Sequence, residues 1–471
     1  MSFQPVLLWT DLLFFLLLLA AAGTVWHARR SVPLSAAWRK VGRRPVGMAS
    51  ATVLLAFLAV GVVDSLHFRP QLPAVEGAPA DAAPVYSSEV LSALDVLLEP
   101  LRTRTEKTYS APFADRLYAR ETVELPEGGQ ARIFPRLEYG AAHLQDPDAE
   151  RAADVARRLG TGVLVAAVLW VPLALLVAAG VARRAGEPFA QGLRRLARGE
   201  TGLAWRTVLL TLAAILLVAC AAAALAPWYH ILGTDKVGQD VFYQSLKSVR
   251  TALVIGTLTT LVMLPFAVAL GVMAGYLGGW VDDVIQYLYT VLNAIPGVLL
   301  IAAAVLMMQV VIDTHPQWFA TAAERADARL LALCLILGIT SWTGLCRLLR
   351  GETLKLRELE YVQAARAFGV QTPAILRRHI LPNVLHIVLI ALVMDFSGLV
   401  LAEAVLSYIG IGVDPTMISF GTMINMARAE LAREPMVWWS LAAAFCFMFV
   451  LVLAANLFAD SVRDAFDPRR G

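Results

Sequence analysis

The sequence predicts an all-α membrane protein of about nine transmembrane helices with a small extracytoplasmic α+β insert. Three observations carry that prediction. The 471 residues are 58% apolar and only 16% charged, whereas soluble domains hold roughly 45–50% apolar and about 25% charged residues. Apolar runs of about 20 residues recur, the length that crosses a bilayer. Arginine and lysine collect in alternate loops.

The runs fall at 5–26, 47–66, 160–181, 205–229, 251–277, 284–312, 330–349, 385–409 and 436–458. The first lacks a basic start and is followed by Arg29 and Arg30, unlike a signal peptide. Basic residues then mark one side. They are Arg29, Arg30, Arg39, Lys40, Arg43 and Arg44 after the first run, and Arg183, Arg184, Arg194, Arg195 and Arg198 after the third. Arg350, Lys355, Arg357, Arg366, Arg377 and Arg378 follow the seventh, and Arg463, Arg469 and Arg470 lie in the tail. Strict alternation puts all four regions inside, with the amino terminus outside and the carboxyl terminus inside. The turn at 278–283 is inside yet acidic, an exception in a short segment.

Four segments result: 1–66 with two spans, 67–159 as the insert, 160–203 with the third span and its loop, and 204–471 as a core. The insert opens with Pro70, Pro73, Pro79 and Pro84, which reads as a linker. Apolar residues at helical spacing predict a helix in 88–104. Segments 122–125 and 131–134 flank Pro126-Glu127-Gly128-Gly129, a hairpin pattern. Residues 150–159 are expected to be helical and to run into the third span. A small domain and a loosely ordered connector both fit this region.

Charge and motifs exclude several classes. A net charge of +3 without a long basic run does not suit nucleic acid. The four cysteines, Cys220, Cys334, Cys346 and Cys446, lie in apolar runs without metal-ligand spacing. The nearest phosphate-loop lookalike, 233–240, has the wrong glycine spacing and no Gly-Lys-Ser/Thr end. No cofactor is expected on this chain, and no catalytic residue.

One polar stretch, 361–383, interrupts the apolar runs of the core. Ala364, Ala365, Gln363 and Arg366 favour helix. Gly369 suits the left-handed turn that ends one. Thr372 can cap a second helix, Pro373 fits its first position, and Pro382 is expected to stop it. The small side chains of Ala364 and Ala365 leave room for another backbone. The product is a compact helix–turn–helix, a docking shape or an amphipathic surface loop.

At these residues the chain resembles the membrane subunits of bacterial ABC importers, whose cytoplasmic signature runs Glu-Ala-Ala, three residues, Gly, then His-X-Leu-Pro. Ala364, Ala365, Gly369, His379, Leu381 and Pro382 match; Gln363 stands where the signature has Glu. Segments 232–242, 403–412 and 456–468 narrow the resemblance to the second permease subunit of dipeptide, oligopeptide and nickel importers, covering about 205–470. The first three spans and the insert are additions to a six-span core. The resemblance implies a coupling segment at 350–383 that docks on an ATPase through Gln363, Ala364, Ala365, Arg366, Gly369, Arg377 and His379. It implies two ATP-binding subunits carrying ATP and Mg, a second homologous permease, an extracytoplasmic solute-binding protein and a bacterial inner membrane. Peptides or peptide-like solutes are the implied cargo.

Within the eighth run, Asp395 is a costly intramembrane carboxylate and a candidate for the substrate pathway or for a helix-packing hydrogen bond. Glu403 lies nearer the outer interface. Pro265 and Pro296 can bend the fifth and sixth spans. An ion-driven carrier using Asp395 or Glu403, and a membrane-anchored accessory protein acting through 88–159, are the rival readings.

Overall fold

The computed structural model describes residues 3–30, 32–72, 85–124, 130–319 and 321–466. Strand β1 (Phe3–Val6) precedes the helices α1 (Trp9–Arg30), α2 (Val32–Arg43) and α3 (Pro45–Asp64). The insert follows as β2 (His67–Pro70), β3 (Leu91–Ser92), α4 (Ala93–Leu97), α5 (Glu99–Thr103), β4 (Glu121–Glu124) and β5 (Gln130–Ile133). Next come α6 (Pro147–Ala185), α7 (Phe189–Arg198), α8 (Trp205–Leu225), α9 (Val241–Leu277), α10 (Gly279–Ala294) and α11 (Gly297–Thr314). The remaining helices are α12 (Ala322–Ser341), α13 (Thr343–Arg357), α14 (Glu360–Ala367), α15 (Thr372–Ile375), α16 (Leu381–Tyr408), α17 (Phe420–Glu430) and α18 (Trp439–Phe466). Among the described residues, nine helical stretches are long and apolar enough to cross a membrane.

The chain forms two compact units that are not consecutive in sequence. One holds Met1–Val6, Arg29–Thr251 and Ile418–Ser461; the other holds Leu7–Ala28, Ala252–Met417 and Val462–Gly471.

In the first unit the insert is an ordered small domain. β1 pairs antiparallel with β2, and β2 with β3. β4 and β5 form the expected hairpin in the register Glu121 to Ile133; its turn, Pro126 to Gly129, lies outside the described residues, as do Pro73, Pro79 and Pro84. The single helix expected over 88–104 is instead β3, α4 and α5. Ser92 makes a reciprocal capping box with Asp95 that starts α4, and Pro100 opens α5, so two short helices form. α6 runs unbroken from the insert into the third span, as expected.

The insert packs on the loop at 226–240. Glu106 accepts hydrogen bonds from the backbone N–H groups of Glu138, Tyr139 and Gly140, at 2.9–3.0 Å. It also meets His230 Nε2 at 3.3 Å, while His230 Nδ1 meets Asp240 at 2.8 Å. Gly238 lies so close to the Glu106 backbone that any side chain would collide with it. Lys247 reaches Asp64, Ser92 and Asp95 at 2.6–3.2 Å, and Trp439 donates to the Thr234 carbonyl at 2.9 Å. Away from the insert, Ala204 N–H bonds the Gly42 carbonyl at 2.8 Å, and a side chain on Gly47 would meet Ser461. The turns after α2 and α7 and the end of α18 within this unit therefore share one side.

The second unit gathers the core of α9 to α16. Gly271 and Gly275 let α9 approach the backbone carbonyls of Cys346 and Arg350 on α13. The sixth apolar run breaks into α10 and α11. Ile295 is extended and Pro296 caps α11, because proline disfavours helix in the residue before it. Pro265, by contrast, sits inside an uninterrupted α9. In the acidic turn at 278–283, Arg350 grips Asp282 with two bonds of 2.6 and 2.7 Å, while Asp283 is exposed.

Candidate functional site

The polar stretch folds as a hairpin on the second unit's core. α14 presents Val362, buried, and Ala365, half-buried, to a cluster that includes Leu345 and Leu349 of α13. Ile375, Ile380, Val384 and Val388 of the return limb enter the same cluster. One shared core therefore ties the hairpin to a span.

Gly369 ends α14 as expected, with φ +79°. Gly369 N–H bonds the Arg366 carbonyl at 3.0 Å and Val370 N–H bonds the Ala365 carbonyl at 3.1 Å, the double cap that a left-handed glycine permits. No atom lies near the position of a Gly369 side chain, so its need for glycine is conformational.

Pro382 does not stop the return limb. After α15 the chain makes one π-helical turn, Leu376–Ile380, and continues into α16 with Pro382 in its first turn. Pro382 leaves one ladder bond unmade, and the wider π-helical turn before it makes room for the ring. The hairpin limb and the eighth span are thus one continuous rod from Thr372 to Tyr408.

The expected docking residues divide between two roles. Gln363, Ala364, Arg366 and Gly369 are exposed around the turn, and Arg377 is exposed on the return limb. Ala365 is turned toward the core, so of the two alanines only Ala364 offers open backbone. His379 braces the hairpin: its ring lies 5.8 Å from the Tyr361 ring. Asn383 joins both, donating to the His379 carbonyl at 2.6 Å and the Tyr361 hydroxyl at 3.3 Å. Gln363 donates to Glu358 at 3.2 Å, an intrachain bond that a neutral amide can make and a carboxylate could not.

Sequence reasoning missed Phe368. It caps α14 with 87% of its surface exposed, beside exposed Tyr361, Leu359 and Val370. A large aromatic left bare at the tip of a rigid turn has the form of an interface anchor. The available signal was its place beside a glycine already read as the turn.

Asp395 lines a cavity of ≈ 470 Å3 within the second unit, with His386, Met394, Ser341 and Arg463. Its carboxylate makes no hydrogen bond among the described residues, so it faces open space and not a packed partner. Glu403 is buried and accepts from Ser407 Oγ at 2.6 Å, closing the end of α16.

The family model described as the binding-protein-dependent transport system inner membrane component matches residues 267–471. The chain is 33% identical over 239 residues to the oligopeptide transport system permease protein OppC of Mycobacterium tuberculosis, covering 51% of this chain and 76% of that protein. It is 34% identical over 242 residues to the glutathione transport system permease protein GsiD of Pectobacterium atrosepticum, covering 51% and 73%. It is 28% identical over 240 residues to the dipeptide transport system permease protein DppC of Bacillus subtilis, covering 51% and 69%.

Proposed function

The chain belongs to the family of binding-protein-dependent ABC-importer permeases that includes oligopeptide, dipeptide and glutathione permeases, and from that premise we propose that it passes peptides or peptide-like solutes across a bacterial inner membrane. Family membership displaces the ion-driven carrier and accessory-protein readings. The energy comes from partner ATPase subunits and the cargo from a solute-binding protein. The pathway is completed by a second permease, and ATP with Mg stays on the ATPases. The basic loops face the cytoplasm, with the amino terminus outside.

The observation that carries the mechanism is the bare turn Gln363–Gly369 mounted on a rod that is also a span. Phe368 is the anchor that enters the ATPase cleft, Ala364 lets the two backbones close, and Arg366 and Arg377 lie at the rim, where charge steers more than it binds. ATP-driven closure of the ATPases moves the hairpin, and the shared core transmits that displacement to α13 and α16. His379 and Asn383 keep the two limbs from splaying. Asp395 offers a negative group to the amino end of the cargo inside the cavity it lines.

The test is co-purification with the ATPases and ATP-dependent uptake in proteoliposomes. Phe368→Glu is expected to abolish both, while the variant chain keeps its helical content and thermal stability. Retained ATPase capture by that variant would overturn the docking assignment.

A further inference from the structure

We propose that the turns after the first and third spans form a binding platform for the headgroup of an anionic phospholipid. α7 is amphipathic and follows α6 through the left-handed cap Gly186. Gln191, Arg194, Arg195 and Arg198 recur at helical spacing along one stripe, all exposed. Phe189 and Leu193 are exposed apolar residues on another stripe. Leu196 is buried against Ala178 and Leu209, and Gly192 lies against the Ala178 carbonyl and Ala182. The helix is therefore strapped across the end of α6. This is the form of a helix lying in the membrane interface, apolar side chains toward the acyl boundary and cations toward phosphate.

α2 carries a similar pattern. Arg39, Lys40 and Arg43 are exposed, as is Trp38. The end of α2 meets the loop that follows α7, where Ala204 N–H, just before α8, bonds the Gly42 carbonyl, so the two basic segments are joined through that loop. Together with Arg183 and Arg184 these cations face only two acidic residues in the segments 29–47 and 183–206, Glu187 and Glu200. Glu187 takes one arginine, Arg195, at 2.8 Å.

A built cavity of ≈ 410 Å3 opens within this patch, lined by Arg184, Arg195, Glu200, Thr201, Gly202 and Trp205. Arg184 has no acidic partner among the described residues. The Arg184 guanidinium, the Arg195 N–H groups that Glu187 does not take and Trp205 suit a phosphodiester whose acyl chains run down the apolar side of α6, while the Thr201 hydroxyl is held by the Leu203 carbonyl. Glu200 disfavours a small, fully charged free anion there. The hydroxyls of a glycerol headgroup would satisfy it.

The experiment uses the purified full-length chain, with thermal unfolding followed as lipid is added. Phosphatidylglycerol is expected to raise the unfolding temperature by several degrees, and phosphatidylcholine at the same concentration is not. The double variant Arg184→Gln/Arg195→Gln is expected to weaken the phosphatidylglycerol response by about 10-fold or more in concentration, while Arg184→Lys/Arg195→Lys largely keeps it. An equal response to both lipids, or an unchanged response in the glutamine variant, would overturn the proposal. So would an equal response to inorganic phosphate, which would assign the cavity to a free anion. If the glutamine variant does not fold, the wild-type preference between the two lipids and its loss in high salt decide the matter.

Discussion

Gly369 and Phe368 join two opposite chemistries in one turn. Gly369 holds φ +79° without crowding, so Gly369→Val adds no collision, only the left-handed strain of a β-branched residue, about 1–2 kcal/mol. That strain is enough to unwind the cap. We expect import to fall several-fold with the chain still membrane-inserted, measured by uptake against protein level. Phe368→Ala removes an anchor without adding charge; a loss of about 2 kcal/mol in ATPase affinity, or roughly 30-fold, is expected by titration of purified subunits. Asp395 is argued from its cavity. Asp395→Asn keeps volume and removes charge, so uptake of a peptide with a free amino end should drop while that of an amino-blocked peptide does not. Equal effects on both would assign Asp395 to packing.

At the scale of elements, the continuous rod from Thr372 to Tyr408 is the feature on which the proposed coupling depends. Pro382 is compatible with that rod because the π-helical turn at Leu376–Ile380 widens the backbone ahead of its ring, so the helix continues with one ladder bond unmade. Two glycines inserted between Ile380 and Leu381 leave the docking turn intact and soften the link. ATPase capture is then expected to persist while ATP-driven uptake is lost. Persistence of both would show that force travels by another route, such as α13. The break between α10 and α11 at Pro296 is the contrasting case, where an extended residue before the proline ends the helix outright.

At the scale of the whole molecule, a buried charge network ties the insert to the loop at 226–240. Burial alone pulls the His230 imidazole down, but its hydrogen bonds to Asp240 and Glu106 outweigh that and raise it to about 9 from an ordinary 6.5. Burial likewise pushes Glu106 up, and His230 with three backbone N–H donors holds it at about 2, below an ordinary 4.5. A raised histidine stabilises fully below pH 6.5 and loses that contribution as pH climbs through about 9. A lowered carboxylate stabilises above pH 4.5 and loses its share as pH falls through about 2. The insert should thus be most resistant to protease between those limits and open above pH 9. In His230→Gln the alkaline opening is expected to disappear, at the cost of lower resistance near pH 6.

Much of the fold was legible because membrane solvation acts on local sequence. Apolar length fixes spans, and a glycine in a helical context fixes the Gly369 turn. The hairpin at 121–133 and the entry of α6 into the third span were readable for the same local reason. What escaped was set by contacts distant in sequence. Whether Pro382 ends a helix depends on the backbone around it, and whether Ala365 or Phe368 faces a partner depends on which side of α14 the core already occupies. The insert's docking through Glu106 and His230 joins residues 124 apart. The sequence by itself determined a membrane permease with a polar hairpin in its core. Only the tertiary structure decided which hairpin residues are left bare and that the hairpin is one rod with a span, because burial and helix continuity are properties of packed neighbours and not of the residues alone.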